Sequence, residues 1–198
     1  MLAQFVSVLY SIVDRMYIGN IPEIGEAALA GVGVCGPIVT LVSSFAFLVG
    51  VGGAPLMSIR LGEKNERAAS QILANCFLML AVLSAVLTVA SLALRETLLW
   101  KFGAGEGTFG YAKEYITIYL MGTVFALMTT GMNQFIICQG FAKIGMKSVI
   151  LGAVTNIVLD PVFIFALDMG VKGAAIATVI SQVASCTYAL RFLFSDRI

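Results

Sequence analysis

The sequence predicts an all-α integral membrane protein that crosses the bilayer six times. Of its 198 residues, 60% are apolar and 12% are charged, and the mean hydropathy is +0.98, too apolar for a water-soluble domain of this size. The apolar residues gather into six segments: Met1 to Gly19, Ala27 to Ile59, Ala69 to Leu94, Tyr115 to Cys138, Met146 to Leu167, and Gly173 to Phe194. Most of the Lys and Arg residues fall in the short breaks between them, as expected for loops at the membrane surface.

The first segment opens MLAQFVSVLYSIVD, without a basic n-region or an A-x-A cleavage site. It therefore reads as a membrane helix entered partway rather than a signal peptide. The second is too long for a perpendicular span: at about 1.5 Å per residue it reaches roughly 50 Å, against a hydrocarbon core of about 30 Å. It must tilt, bend or extend beyond the lipid, and Pro37 and Pro55 with Gly50, Gly52 and Gly53 are the places to bend. Arg67 and Arg95 bound the third. Before and within the fourth, Tyr111, Tyr115 and Tyr119 recur every four residues. An interfacial aromatic belt accounts for Tyr111, whereas Tyr115 and Tyr119 lie deeper and are placed to face a cavity. Asn133, lower on the same helix, reads as a helix-to-helix hydrogen bond.

The fifth segment carries the chemistry. Asn156 and Asp160 stand four residues apart on one face of a helix, and Pro161 follows at once. Proline cannot donate to the carbonyl of Ile157, so a free backbone oxygen joins two side-chain oxygens in a low-dielectric place, where a proton or small cation is held. Asp before Pro also restarts a broken helix, but a broken helix within a membrane is itself a binding feature. On the sixth segment, Ala177, Ser181 and Ser185 at four-residue spacing permit close helix packing.

Orientation follows from the positive charges. Arg60, Lys64, Arg67, Lys143, Lys147, Arg191 and Arg197 fall on one side, and Arg95, Lys101, Lys113 and Lys172 on the other, so the first set and both chain ends are expected in the cytoplasm. With that topology, Asp14, Asp160 and Thr178 all lie in the outer half of the membrane, as one shared site requires. Asp14 and Arg15 point about 100° apart on a helix and pair poorly, which leaves Asp14 available. Burial disfavours charge on a carboxylate and a second carboxylate disfavours it further. Binding a proton or sodium ion relieves the repulsion and so controls whether the helices pack or part.

Other features exclude function classes. No basic face exists to bind nucleic acid. The four cysteines stand singly in apolar runs and read as buried free thiols, and with no histidine in the chain neither zinc–histidine sites nor histidine triads are available. Gly31 to Gly36, GVGVCG, matches a dinucleotide-binding fingerprint, but no strand precedes it and Pro37 follows; its glycines read as packing residues. The nine methionines read mostly as packing.

Five stretches together resemble the multidrug and toxic compound extrusion (MATE) family, in particular its bacterial branch with an ion site in the N-terminal half: LYSIVDRMYIG (Leu9 to Gly19), FLVGVGGAPLMSIRLG (Phe47 to Gly62), FGAGEG (Phe102 to Gly107), NIVLDPVFIF (Asn156 to Phe165) and GVKGAAIATVISQ (Gly170 to Gln182). The resemblance implies a proton- or sodium-coupled antiporter that exports organic, often cationic, compounds from the cell, with no cofactor beyond the coupling ion. By similarity, Asp14, Asn156, Asp160 and Thr178 fall on the cation site, and Tyr10, Tyr115 and Asn133 on or beside drug-lining positions. Ser11 stands where this branch often has Asn. The family's members resemble two related six-helix lobes about a cleft, so residues 1–198 are expected to be the N-terminal lobe alone, with the start of its first helix missing. A second half, or a second copy, is then needed to enclose a cleft. Two other classes compete. A lipid-linked oligosaccharide flippase or a dimerising scaffold shares the architecture, but flippases line their cavity with basic residues, of which only Arg15 is a candidate here. An intramembrane aspartyl protease needs G-x-G-D at its second aspartate, which Asp160 lacks.

Overall fold

The computed structural model describes residues 2–195, apart from the side chains of residues 2–4 and 7. Met1 and Arg197, the latter counted above among the cytoplasmic charges, lie outside the described residues. The described residues form seven α-helices and a π-helical turn: α1 (Leu2–Gly19), α2 (Gly25–Gly62), α3 (Glu66–Lys101), α4 (Glu106–Met121), α5 (Thr123–Cys138), α6 (Ala142–Pro161), the π turn (Val162–Ala166) and α7 (Gly170–Leu193). Among the described residues there is no strand.

Helix surfaces show which solvent they face. Leu78, Val82, Val86 and Val89 on α3 are each more than half exposed, as are Phe5, Val8, Ile12 and Met16 on α1. Apolar stripes of this length are stable only against lipid or another apolar protein face, not against water. Among the described residues, four helical stretches are long and apolar enough to cross a membrane, and α4 with α5, taken as one bent span, makes a fifth. The remaining helix, α1, has 18 residues, and Asp14 and Arg15 dilute its apolar character.

Several boundaries differ from those read off the apolar runs, because lipid exposure and helix length are different quantities. The third helix continues past Leu94 to Lys101: Leu99 is fully buried and Trp100 stacks on Phe109 at 4.8 Å, so packing carries the helix beyond its apolar run. The fourth span starts at Glu106 rather than Tyr115, with the Thr108 hydroxyl accepting the Gly105 N–H at 3.1 Å. It is broken at Gly122, where α4 and α5 meet at 57°. The long second segment, by contrast, runs as one helix through Pro37 and Pro55. All four cysteines are free, but only Cys35 and Cys186 are buried; Cys76 and Cys138 are half-buried on helices that also face lipid.

Two buried clusters divide the bundle along its length. One joins Ile18, Val32, Cys35, Tyr115, Ile116, Ile164 and Ala174 near the connections 20–24, 102–105 and 167–169. The other joins Ala46, Met57, Leu80, Met132, Phe135, Cys186 and Leu193 toward the opposite end. Within the GVGVCG stretch, only Gly31 makes a close approach: a Cβ there would sit 2.9 Å from the Thr108 carbonyl oxygen, and Cys35 Sγ donates to the Ala112 carbonyl one turn on. Gly33 and Gly36 have open space about them. The small residues of α7 pack as expected, with Ser185 Oγ donating to Ser148 O across to α6 at 2.8 Å.

Candidate cation site and adjoining cavities

Helix α6 and helix α7 form the most extensive helix pair, and α1 lies against α6. This arrangement brings residues from three distant parts of the sequence together. Asn156 Nδ2 donates to Asp160 Oδ1 at 3.1 Å along α6 and reaches Thr178 Oγ1 of α7 at 3.4 Å. Thr178 Oγ1 in turn donates to Ala174 O at 2.9 Å. From α1, the Asp14 carboxyl makes a side-chain hydrogen bond with the Asp160 carboxyl. Two carboxyl groups can bond directly only if one holds a proton.

All four residues are buried, Asp160 completely. With both acids ionised, Asp14 Oδ1, Asn156 Oδ1 and Asp160 Oδ2 have no donor. Buried acceptors without donors are costly, and three of them from adjacent side chains form an oxygen-only set suited to a proton or a hard monovalent cation. Among the described residues, no group of three or more His, Cys, Asp or Glu side chains is assembled as for a transition metal. Pro161 ends the regular part of α6. The chain then widens into the π turn, where Leu167 N bonds Val162 O at 2.9 Å, and reverses through Asp168 in the left-handed region at φ 51°.

Of the two acids, Asp14 opens on a cavity. A space of about 140 Å³ is lined by Tyr10, Asp14, Arg15, Tyr115, Tyr119 and Thr178, among others. Tyr115 is 7% exposed and hydrogen-bonds Thr178, which links the cavity wall to the acid cluster. Its ring lies 6.0 Å from that of Tyr119, nearly parallel. A second space of about 300 Å³ shares Tyr10, Val39, Tyr119 and Gln182 with the first and continues among the hydroxyls of Ser43, Thr129, Thr130 and Ser181. Tyr10 and Tyr115 therefore line cavities. Asn133 lies apart from both, where its Nδ2 donates to Gly145 O of α6 at 3.3 Å. Residue-by-residue reading of the sequence passed over Gln182. It stands one turn after Thr178, bonds Tyr119, and presents a buried Oε1 without a partner where the two cavities meet.

A bundle of apolar helices enclosing a buried carboxyl pair beside a polar cavity defines a membrane transporter module. The chain belongs to the MatE family, whose model matches residues 1–162. It is similar to the multidrug export protein MepA of Staphylococcus haemolyticus, at 28% identity over 182 residues, covering 92% of this chain and 40% of that protein. Among solved structures it resembles an outward-facing MATE transporter of the MOP superfamily (TM-score 0.91, 28% identity, 100% of this chain and 43% of that one). An inward-facing structure so described matches at a TM-score of 0.89, with 28% identity over 96% of this chain and 42% of that one. The chain thus spans about two-fifths of the length of these relatives.

Proposed function

We propose that the chain is the ion-binding N-terminal lobe of a proton- or sodium-coupled antiporter that exports organic, often cationic, compounds across the cell membrane, with both of its ends in the cytoplasm. The observation that carries this reading is the buried contact between the Asp14 and Asp160 carboxyls, which come from different helices. Two like charges about 4 Å apart repel by about 4 kcal/mol at an effective dielectric constant of about 20. Such a term shifts a two-state equilibrium by roughly a thousandfold. Ion binding then holds α1 against α6, and ion release lets them part. The adjoining cavities would change shape with that motion, because α1 contributes Tyr10 to both.

A second lobe, or a second copy, would close the cleft. The multidrug label of the MepA relative supports organic substrates of varied shape, and tyrosine faces beside buried acids suit organic cations. The test is transport by the completed protein in liposomes. A proton or sodium gradient of the correct sign should drive accumulation of ethidium, and collapse of the gradient should abolish it. Ethidium movement indifferent to both gradients contradicts the proposal.

A further inference from the structure

Away from the cavities just described, α3, α5 and α7 enclose a groove of about 290 Å³ whose walls include Leu73, Phe77, Met132, Leu190, Leu193 and Phe194. Phe77 and Phe194 meet edge to face at 5.6 Å, and Phe194 is 71% exposed. The groove starts at Ser70, within the first turns of α3, and reaches the last turn of α7. It therefore opens at one membrane surface. Arg67 stands three residues before Ser70, on the same helical face, and Arg191 lies in the last turn of α7. Both are exposed, and neither is paired with an acid among the described residues. The neighbouring acids are directed elsewhere: Glu63 pairs with Arg60 at 2.8 Å, and Glu66 lines a separate space beside Met57 and Leu61.

We propose that this groove is a binding site for an anionic phospholipid, with one acyl chain along Leu73, Met132 and Leu190 beside the Phe77–Phe194 contact and the phosphate at Arg67 and Arg191. An apolar slot that runs inward from a membrane surface carrying two unpaired arginines suits the shape and charge of such a lipid, and guanidinium binds phosphate with paired, charge-assisted hydrogen bonds. The inference needs only a membrane-embedded chain and is independent of the efflux reading.

Native mass spectrometry of the full-length protein in detergent, titrated with phosphatidylglycerol and with phosphatidylcholine of the same acyl chains, tests it. Phosphatidylglycerol should be retained at about thirtyfold lower concentration, from two basic contacts at the membrane surface. The double variant Arg67→Gln, Arg191→Gln should bind both lipids alike, and Leu73→Trp, which fills the slot, should weaken both. Equal binding of the two lipids by the unmodified protein, preference surviving in the double variant, or undiminished binding by Leu73→Trp overturns the proposal. A dimer without lipid would also overturn it, since the groove would then hold a second copy.

Discussion

Replacing Asp160 by Asn in the completed transporter abolishes ion-driven export, reducing ethidium efflux from loaded cells to that of cells without the protein. The side chains have nearly the same shape, so the fold is retained: the Asn156 Nδ2 donor still finds an oxygen at position 160, and no cavity is created. What disappears is the charge. An amide cannot alternate between an ionised form that repels Asp14 and a neutral form that bonds it, so the packing of α1 on α6 no longer depends on the ion. Asp14→Asn should act in the same direction, and the double variant should be no worse than either single one, because the two groups act as a unit. Efflux by Asp160→Asn at the unmodified level, with equal protein in the membrane, contradicts this account.

The second large effect is on stability. Gly173, near the start of α7, faces the π turn so closely that a Cβ would lie 2.6 Å from the Phe163 carbonyl oxygen, 2.7 Å from its carbon and 3.0 Å from Ile164 N. These are backbone atoms and cannot rotate aside as a side-chain end can. Gly173→Ala must push α7 from the turn, at a cost of about 1–3 kcal/mol. Because that turn joins Asp160 to the helix carrying Thr178, the substitution should disturb the site as well as the fold. Gly107→Ala is the control. Nothing lies within 4 Å of a Cβ at that helical position, so the change should be neutral or stabilising by up to about 1 kcal/mol. Thermal unfolding in detergent, followed by intrinsic fluorescence, distinguishes the two; a Gly173→Ala melting temperature equal to that of the Gly107→Ala variant contradicts the packing argument.

Much of the acid cluster is legible in the sequence. Helical spacing alone puts Asn156 and Asp160 on one face, and counting turns from the loops puts Asp14 and Thr178 at a matching depth. The structure brings these four together. Depth works because a membrane fixes one coordinate of every residue in a span before any tertiary contact is known. Rotation about each helix axis is not fixed in that way. Gln182 shows this: one turn beyond Thr178, it meets Tyr119 only because α7 and α4 present those faces to each other. Asn133 shows it differently, since a polar residue in a largely apolar helix gives its depth but not its partner, and its amide turns to Gly145.

Helix breaks are less legible in the sequence, for a related reason. Proline signals a missing donor but not whether the helix tolerates it: α2 runs through Pro37 and Pro55, while α6 gives way to a π turn just after Pro161. The break at Gly122 has no proline at all. A Cβ there would meet Val179 of α7 at 2.6 Å, and that contact between helices distant in sequence leaves no periodic signal.

The measurement that tests the central claim most directly is infrared difference spectroscopy of the completed protein, titrated with acid and separately with sodium. The account predicts that at least one of these ions changes the carboxyl bands of the unmodified protein, that adding an organic-cation substrate reverses the change, and that Asp160→Asn loses it. Carboxyl bands that respond to neither ion, or that respond identically in Asp160→Asn, would show that Asp14 and Asp160 do not form the coupling site.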